Sequence, residues 1–196
     1  MAIDREDVSS FYESQLGKRM VKSEVALLLH ELHKGEKVLD IGSNIGLIER
    51  HMAGIDITGM ESSDELLSTA RRSSKSLFVK GKAENLPFLK ETFNVVLFSV
   101  FPDVVVNYAI AIKEAIAVLK PKGKVIILTV NKDSAYFEAL TGAGHGYADA
   151  IRSVKLDFVE SIMPKDMKLI GIRKVCLMGE AAANADDLYA LVYSKA

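Results

Sequence analysis

Short apolar runs alternate along this chain with longer segments in which apolar residues recur every three or four positions. Runs with the length of a buried strand occupy residues 37–40, 57–61, 77–80, 95–99 and 124–130. Helical spacing is found at residues 46–53, 64–73, 102–107 and 108–119. Because strands that alternate with helices form a parallel sheet covered on both faces, this part of the chain predicts an α/β fold.

The N-terminal region is predicted to be helical. Residues 4–17 and 23–32 both have helical spacing, and Ser23 is placed to cap the second helix. Both helices precede the first strand, and a chain of 196 residues has the length of one ordinary domain. We therefore expect residues 1–34 to form a cap on a core of residues 35–196 within a single domain.

The C-terminal region carries a different pattern. A helix around residues 153–163 precedes two apolar runs, 169–177 and 188–193, that no helical segment connects. Such runs are typical of an antiparallel strand pair, so the sequence predicts a mostly parallel seven-stranded sheet with a C-terminal antiparallel pair. Residues 131–150 contain three closely spaced glycines and are expected to be mobile.

Composition places the chain among ordinary globular proteins. Hydrophobic residues make up 49% and charged residues 26%, which excludes a disordered or fibrous chain. No apolar run reaches membrane-spanning length, and the first ten residues carry four charges. We therefore expect neither a membrane anchor nor a signal peptide, and a cytoplasmic location.

Charge and cysteine content argue against nucleic acid as a partner and against a disulfide or a metal cluster. The chain has 25 basic and 26 acidic residues, a net charge of −1, so it offers no overall field that attracts nucleic acid. Cys176 is the single cysteine, so we expect no internal disulfide and no metal cluster. The sequence leaves the oligomeric state open.

The most informative stretch is the turn that follows the first predicted strand. That strand ends at Asp40, and the small-residue turn Gly42-Ser43-Asn44-Ile45-Gly46 leads into a helix. Such a turn exposes backbone N–H groups and lacks bulky side chains, so a ligand can approach the main chain. The next strand ends at Glu61, whose two oxygens could accept hydrogen bonds from both hydroxyls of a ribose. Together these features predict a nucleoside cofactor site.

The spacing of the turn distinguishes between two cofactors. A dinucleotide-binding turn has glycines at relative positions one, three and six, where this chain has Gly42, Asn44 and Leu47. The S-adenosyl-L-methionine pattern has them at one, three and five, which are Gly42, Asn44 and Gly46. Asparagine enters the left-handed backbone region at modest cost, so Asn44 weakens this pattern without breaking it. S-Adenosylmethionine is favoured, and a nicotinamide-dependent oxidoreductase is the less favoured alternative.

Four ordered segments resemble the motifs of one family. They are the glycine turn, residues 57–71, residues 81–88 followed by 92–96, and residues 114–123. In this order and at this spacing, the chain resembles a class I S-adenosylmethionine-dependent methyltransferase of the small-molecule, methyltransferase-11-like type. The resemblance implies a Rossmann-like fold and transfer of a methyl group from S-adenosylmethionine to an acceptor, which we expect to be a small molecule.

The resemblance also implies a set of cofactor contacts. They are Asp40, Gly42, Ser43, Asn44, Gly46, Glu61, Ser62, Ala83, Glu84, Phe98 and Ser99. Asp40 and the glycine turn would shape the pocket for the methionine end, and Glu61 would bind the ribose. The backbone N–H of Ala83 would contact adenine, and Phe98 or Ser99 would border the methyl group.

Residues outside these motifs could complete the site. His145 lies in the glycine-rich segment after the fifth strand, where a general base for an oxygen or nitrogen acceptor could stand. Its alternative is an ordinary surface histidine. Tyr12, Lys18 and Arg19 could close over the cofactor from the N-terminal helices, or could be ordinary residues of the helix surface.

Three departures from the family pattern leave a second function open. Lys82 and Asn94 stand where the family usually has aspartate, and Asn44 replaces a glycine. A lysine has no acceptor for the adenine amino group, so either Glu84 substitutes or backbone and packing alone hold adenine. The alternative to an enzyme is therefore a protein that binds S-adenosylmethionine or S-adenosylhomocysteine without transfer activity, as a regulatory or partner subunit.

Overall fold

The computed structural model describes residues 5–99, 107–143, 156–177 and 186–196. In chain order the elements are α1 (Arg5–Glu13), α2 (Gln15–Glu31), β1 (Lys37–Ile41), α3 (Leu47–His51), β2 (Asp56–Glu61), α4 (Asp64–Ser73), β3 (Leu77–Lys80), β4 (Phe93–Phe98), α5 (Tyr108–Val118), β5 (Leu119–Val130), α6 (Ala135–Gly142), α7 (Leu156–Ile162), β6 (Met167–Val175) and β7 (Leu188–Lys195). None of these helices combines the length and apolar composition that crossing a bilayer requires.

The strands form a seven-stranded sheet in the order β3-β2-β1-β4-β5-β7-β6. Strands β1 to β5 pair in parallel, and β7 runs antiparallel to both β5 and β6. This arrangement confirms the predicted parallel sheet with its C-terminal antiparallel pair. The strand order reverses at β1, which has β2 on one side and β4 on the other. In open α/β sheets, ligands bind beyond the carboxyl ends of the strands at such a reversal.

Alternate residues of the central strands enter two hydrophobic clusters on opposite faces of the sheet. On β1, Val38 packs into one cluster, and Leu39 and Ile41 pack into the other. The first cluster includes Leu28 of α2, and the second includes Ile112 of α5. Helices therefore cover both faces, as the alternation of elements predicts.

Helix α2 begins before Ser23, so the prediction that Ser23 caps it is wrong. The cap is Ser14, whose Oγ accepts a hydrogen bond from the N–H of Gly17 at 3.1 Å. The buried face of the helix runs back to Met20, which is fully buried. A Cβ on Gly17 would lie 2.2 Å from the backbone oxygen of Phe11. The glycine that seemed to end the first helix instead allows α1 and α2 to approach each other closely.

The expectation of a mobile segment at residues 131–150 is wrong for its first part, which forms α6. Ser134 caps this helix by accepting a hydrogen bond from the N–H of Phe137 at 3.1 Å. Tyr136 is fully buried, and its hydroxyl donates to the backbone oxygen of Leu16 at 2.9 Å. This segment is therefore held in place by contacts with the N-terminal helices. The local sequence pattern does not show these contacts.

Two further predictions fall partly or wholly outside the described residues. Of the helix predicted at residues 102–107, only Asn107 is described, and it caps α5 by accepting a hydrogen bond from the N–H of Ile110 at 3.2 Å. Residues 144–150, the rest of the glycine-rich segment, are outside the described ranges.

Candidate functional site

The turn after β1 has the backbone geometry that its glycines predict. The φ angles are 85° at Gly42, 50° at Asn44 and 74° at Gly46, all in the left-handed region. Asn44 also donates a hydrogen bond from Nδ2 to the backbone oxygen of Gly42 at 3.2 Å. The prediction that asparagine can replace the middle glycine is therefore confirmed at the level of the backbone.

The two glycines of the turn serve different purposes. A Cβ on Gly46 would lie 2.8 Å from Ser73 Oγ and 2.9 Å from Phe78 Cζ, so this glycine permits packing against α4 and β3. A Cβ on Gly42 would meet no atom within 4 Å. The backbone at Gly42 therefore faces open space, which suits the close approach of a ligand.

Glu61 joins the tip of β2 to the glycine turn. Its Oε2 accepts a hydrogen bond from the backbone N–H of Asn44 at 3.1 Å. Its Oε1 accepts hydrogen bonds from the N–H groups of Ser62 at 2.7 Å and Ser63 at 2.9 Å. Ser62 Oγ also donates to Oε1 at 3.2 Å. The carboxylate is thus held at the junction of two strand tips, and Oε2, which accepts one hydrogen bond, has a lone pair left for a ligand.

Backbone hydrogen bonds tie the neighbouring strand tips together. The N–H groups of Gly42 and Ser43 donate to the backbone oxygen of Met60 at 2.9 and 3.1 Å. Beyond β3, the N–H of Gly81 donates to the backbone oxygen of Glu61 at 3.1 Å. The turn after β3, which contains the residues proposed for adenine, therefore adjoins Glu61.

Asp40 and Ser99 meet at the tips of β1 and β4. Ser99 Oγ donates a hydrogen bond to Asp40 Oδ1 at 2.8 Å, and both side chains are buried. The Asp40 carboxyl group also shares a hydrogen bond with the Glu49 carboxyl group, whereas the hydroxyl of Ser43 is buried and has no hydrogen-bond partner within the described part of the chain. Polar atoms left without partners inside a protein are costly, and such atoms at a strand tip are suited to hold a ligand.

Two further acids accompany Asp40 beneath the turn, and we call Glu24, Asp40 and Glu49 the buried carboxylate cluster. Their exposed fractions are 2%, 0% and 3%. Burial, with a smaller contribution from Asp40, raises the pKa of Glu24 to about 8. Burial likewise raises the pKa of Asp40 to about 7, although the hydrogen bond from Ser99 opposes this shift. Burial and then Asp40 raise the pKa of Glu49 well above its usual range.

The buried carboxylate cluster predicts that stability falls as pH rises. An acid with a raised folded pKa contributes stability below its unfolded pKa, near 4, and that contribution is lost as pH rises through the folded pKa. We expect the free energy of unfolding of the ligand-free protein to fall by at least about 3 kcal/mol between about pH 5.5 and 8. Urea denaturation measured across this range checks the prediction.

Glu49→Gln supplies the matched variant for that experiment, because glutamine has a similar shape and does not ionise. It is expected to flatten the dependence of stability on pH and to raise stability at pH 8. A wild-type protein whose stability is constant or increases over the same range would contradict the account of the cluster.

The segment proposed to hold adenine is only partly polar. Ala83 is buried in the same hydrophobic cluster as Met60 and Leu86. Glu84 Oε1 accepts a hydrogen bond from the backbone N–H of Asn107 at 3.3 Å. Lys82 is exposed. The location of this turn agrees with the proposed adenine site, whereas the contacts of Ala83 and Glu84 with adenine stay predictions.

The residues proposed near the methyl group differ in their surroundings. Phe98 is 2% exposed and packs in the hydrophobic cluster that contains Ile41 and Val96. Ser99 faces Asp40 and lines a small cavity beside the glycine turn. Ser99 is therefore the better placed of the two to contact a ligand. His145 lies outside the described residues, so its role as general base stays a prediction.

The N-terminal helices contribute to the walls of two adjoining cavities. The small cavity beside the glycine turn is lined by Tyr12, Val21, Glu24, Gly42, Ser43, Asn44, Ile45, Leu47, Ile48 and Ser99. A larger cavity, of about 460 Å³, lies between α1, α2 and α3 and shares Tyr12 with the small one. Lys18 lines only the larger cavity. Tyr12 thus lies beside the turn and Lys18 lies farther out, while their contact with the cofactor stays a prediction.

Glu24 and Glu49 were not among the predicted site residues. Glu24 lies on the face of α2 that also carries Met20 and Leu28, both fully buried. An acid at that position of an apolar helical stripe is the signal that could have identified it. For Glu49 the signal is Gly59, a glycine within strand β2. A Cβ on Gly59 would lie 2.5 Å from Glu49 Oε1, so the glycine leaves room for that side chain.

Part of this chain matches known methyltransferases. Residues 39–127, which hold the glycine turn, Glu61 and Ser99, match the family model of a methyltransferase domain. A demethylmenaquinone methyltransferase from Thermotoga maritima is 34% identical over 102 residues, which cover 47% of this chain and 43% of that protein. A ubiquinone biosynthesis O-methyltransferase from Photobacterium profundum is 32% identical over 118 residues, which cover 56% of this chain and 50% of that protein. The chain thus spans about half the length of the curated relatives it matches.

The fold is also found among solved structures. An S-adenosylmethionine-dependent methyltransferase from Thermotoga maritima superposes with a TM-score of 0.78 at 20% identity, and the match covers 97% of this chain and 96% of that one. At this level of identity, the likeness establishes the architecture of the sheet and its helices.

Proposed function

We propose that this chain, which belongs to the class I S-adenosylmethionine-dependent methyltransferase family, transfers the methyl group of that cofactor to a small molecule. The observation that carries the proposal is the contact between Glu61 and the backbone N–H of Asn44. This contact sets an acid beside a turn whose first glycine faces open space. One side of the site can therefore bind a ribose while the other admits the methionine end of the cofactor.

The residues at the strand tips fit such a cofactor. Gly42 leaves room that a Cβ would fill, and the unpartnered hydroxyl of Ser43 lines the cavity beside it. Glu61 would accept hydrogen bonds from the ribose hydroxyls, and the turn at residues 81–84 would lie against adenine. Ser99 would border the methionine end.

Methyl transfer requires little of the protein beyond binding the cofactor and the acceptor and aligning them. When bound, the cofactor supplies a sulfonium-activated methyl group. The chain has to hold an acceptor in line with that group and to exclude water, and proximity and orientation can supply most of the lowering of the barrier. A catalytic triad is therefore not required, although a general base such as His145 would assist transfer to an oxygen or nitrogen acceptor.

Two observations support a small-molecule acceptor. The relatives are named as a demethylmenaquinone methyltransferase and a ubiquinone biosynthesis O-methyltransferase. The larger cavity, at about 460 Å³, has the volume of a site for a small molecule. Its wall includes Val21, Val25 and Leu47, which suit an acceptor with an apolar body.

Transfer is tested with S-adenosylmethionine that carries a labelled methyl group. The protein is incubated with fractionated small-molecule extracts and with hydroxylated aromatic compounds, and we expect labelled product together with an equal amount of S-adenosylhomocysteine. The Gly42→Ala variant serves as the control for contaminating activity. Tight binding of the cofactor with no transfer to any fraction would favour the alternative, a cofactor-binding protein without transfer activity.

The departure at Lys82 gives a further prediction. Lys82→Asp introduces an acceptor at the position where the family usually has aspartate, and we expect S-adenosylmethionine to bind about three to ten times more tightly, since one hydrogen bond contributes about 1 kcal/mol. Isothermal titration measures the change. Lys82→Ala is the matched control, because it removes the cation without adding an acceptor. Equal affinities for the two variants would indicate that backbone and packing alone hold adenine.

A further inference from the structure

Glu24 is a buried acid that lines the small cavity beside the glycine turn. It comes from α2, outside the motifs of the family, and is 2% exposed. Its Oε1 has no hydrogen-bond partner within the described residues. The same cavity is lined by Gly42, Ser43 and Ser99, so Glu24 faces the site proposed for the methionine end of the cofactor.

We infer that Glu24 binds the ammonium group of the cofactor's methionine end, and that this binding displaces a proton from the buried carboxylate cluster into solvent. The inference rests on the proposed function, since it names a contact for the same ligand. Glu24 would be a positioning residue, because it would hold the end of the cofactor remote from the transferred methyl group.

The charges around Glu24 favour a cation in this cavity. The groups that interact directly with Glu24 are Asp40 of β1 and Tyr136 of α6, and Tyr12 of α1 lines the same cavity. Arg19 of α2 and Asp187 act on Tyr136, and Glu49 of α3 and Glu61 of β2 act on Asp40. These surroundings hold four acids and one cation, and the hydroxyl of Tyr136 donates to Leu16 rather than to Glu24. A buried carboxylate in such surroundings is costly unless a cation or a proton compensates its charge.

In the ligand-free protein, a proton can compensate the charge of Glu24, because its pKa is raised to about 8 and a carboxylic acid is uncharged. When an ammonium group arrives, its N–H can donate to a carboxylate oxygen, which forms a stronger hydrogen bond than the neutral acid does. The proton then leaves to solvent, and no covalent bond changes. Binding should therefore strengthen as pH rises toward the pKa of the cluster.

Two nucleosides separate the ammonium contact from the rest of the site. S-Adenosylhomocysteine carries the amino acid end, and 5′-methylthioadenosine has the same adenosyl group without it. Both lack the sulfonium charge, so that charge does not enter the comparison. Calorimetric titration of each, in buffers of different ionisation enthalpy at pH 6.0 to 7.5, reports affinity and proton release. The α-amino group of a free amino acid is more basic than that of a peptide, whose usual pKa is about 7.7–8.0, because the adjacent carboxylate stabilises the cation, so the ligand keeps its ammonium group over this range.

We expect S-adenosylhomocysteine to release close to one proton at pH 7, and its affinity to rise about twenty- to thirtyfold over this range. The affinity for 5′-methylthioadenosine should change less than about twofold. Glu24→Gln should lower the affinity for S-adenosylhomocysteine at pH 7.5 by about tenfold or more and remove most of its dependence on pH. It should leave the affinity for 5′-methylthioadenosine unchanged, which also shows that the variant is folded.

Glu31→Gln is the matched control, since Glu31 is a buried acid of the same helix that pairs instead with Arg173 at 2.7 Å. It should bind both nucleosides as the wild type does. The inference is overturned if Glu24→Gln keeps the wild-type affinity and pH dependence, or if the wild type releases no proton. If neither nucleoside binds the wild type at all, the proposed function itself fails.

Discussion

Replacing Gly42 with alanine should lower the affinity for S-adenosylmethionine by at least about a hundredfold, a loss of about 2.7 kcal/mol or more. The added Cβ meets no protein atom within 4 Å, so it would project into the open space at the turn. That space is where we place the methionine end of the cofactor. Isothermal titration of wild type and variant measures the loss.

Gly54→Ala is the control for the backbone cost of this change. Gly54 has a φ of 88°, close to the 85° of Gly42, and a Cβ there would likewise meet nothing within 4 Å. Both substitutions place alanine in the left-handed region, at a cost of about 1–2 kcal/mol in stability. If the two variants lose the same stability and only Gly42→Ala loses S-adenosylmethionine binding, the result supports a cofactor site at the turn. If Gly42→Ala binds the cofactor as tightly as the wild type does, the turn is not part of the cofactor site.

Glu61→Ala should weaken S-adenosylmethionine binding by about tenfold to a hundredfold, because a carboxylate that accepts two ribose hydroxyls contributes about 1.5–3 kcal/mol. It should also lower stability by about 1–3 kcal/mol, since the N–H groups of Asn44, Ser62 and Ser63 lose their acceptor. Titration and urea denaturation measure the two effects separately.

A second pair of variants separates the loss of a ligand contact from a local structural change. Glu61→Gln keeps one acceptor oxygen and should bind with intermediate affinity. Glu65→Ala removes an exposed acid from the first turn of α4 and should leave binding unchanged. Unchanged affinity in Glu61→Ala would exclude Glu61 from the cofactor site, whatever its effect on stability.

The glycine turn could be predicted because its requirements are local. A strand that ends in a tight turn needs residues that tolerate positive φ, and glycine and asparagine are the residues that do so most readily. The order of strands and helices then fixes where the turn lies relative to Glu61, since parallel strands bring their carboxyl ends to one edge of the sheet. The contact between Asn44 and Glu61 follows from these two facts.

What the sequence did not reveal depends on distant parts of the chain. The glycines of residues 131–150 suggested mobility, but Tyr136 is fixed by a hydrogen bond to Leu16, which lies in another helix. Glu24 and Glu49 have side chains that are usually exposed, and only the packed structure shows that they are buried. The error at Ser23 is local by contrast, because Ser14 caps α2 and Gly17 lies inside its first turn, packed against the backbone of Phe11.

The most direct test of the proposed site is a crystal structure of the protein with S-adenosylhomocysteine. We expect both ribose hydroxyls within hydrogen-bond distance of the Glu61 carboxylate and the amino acid end of the ligand against the backbone of Gly42. A nucleoside bound elsewhere on the protein, with Glu61 and Gly42 making no contact with it, would contradict the account.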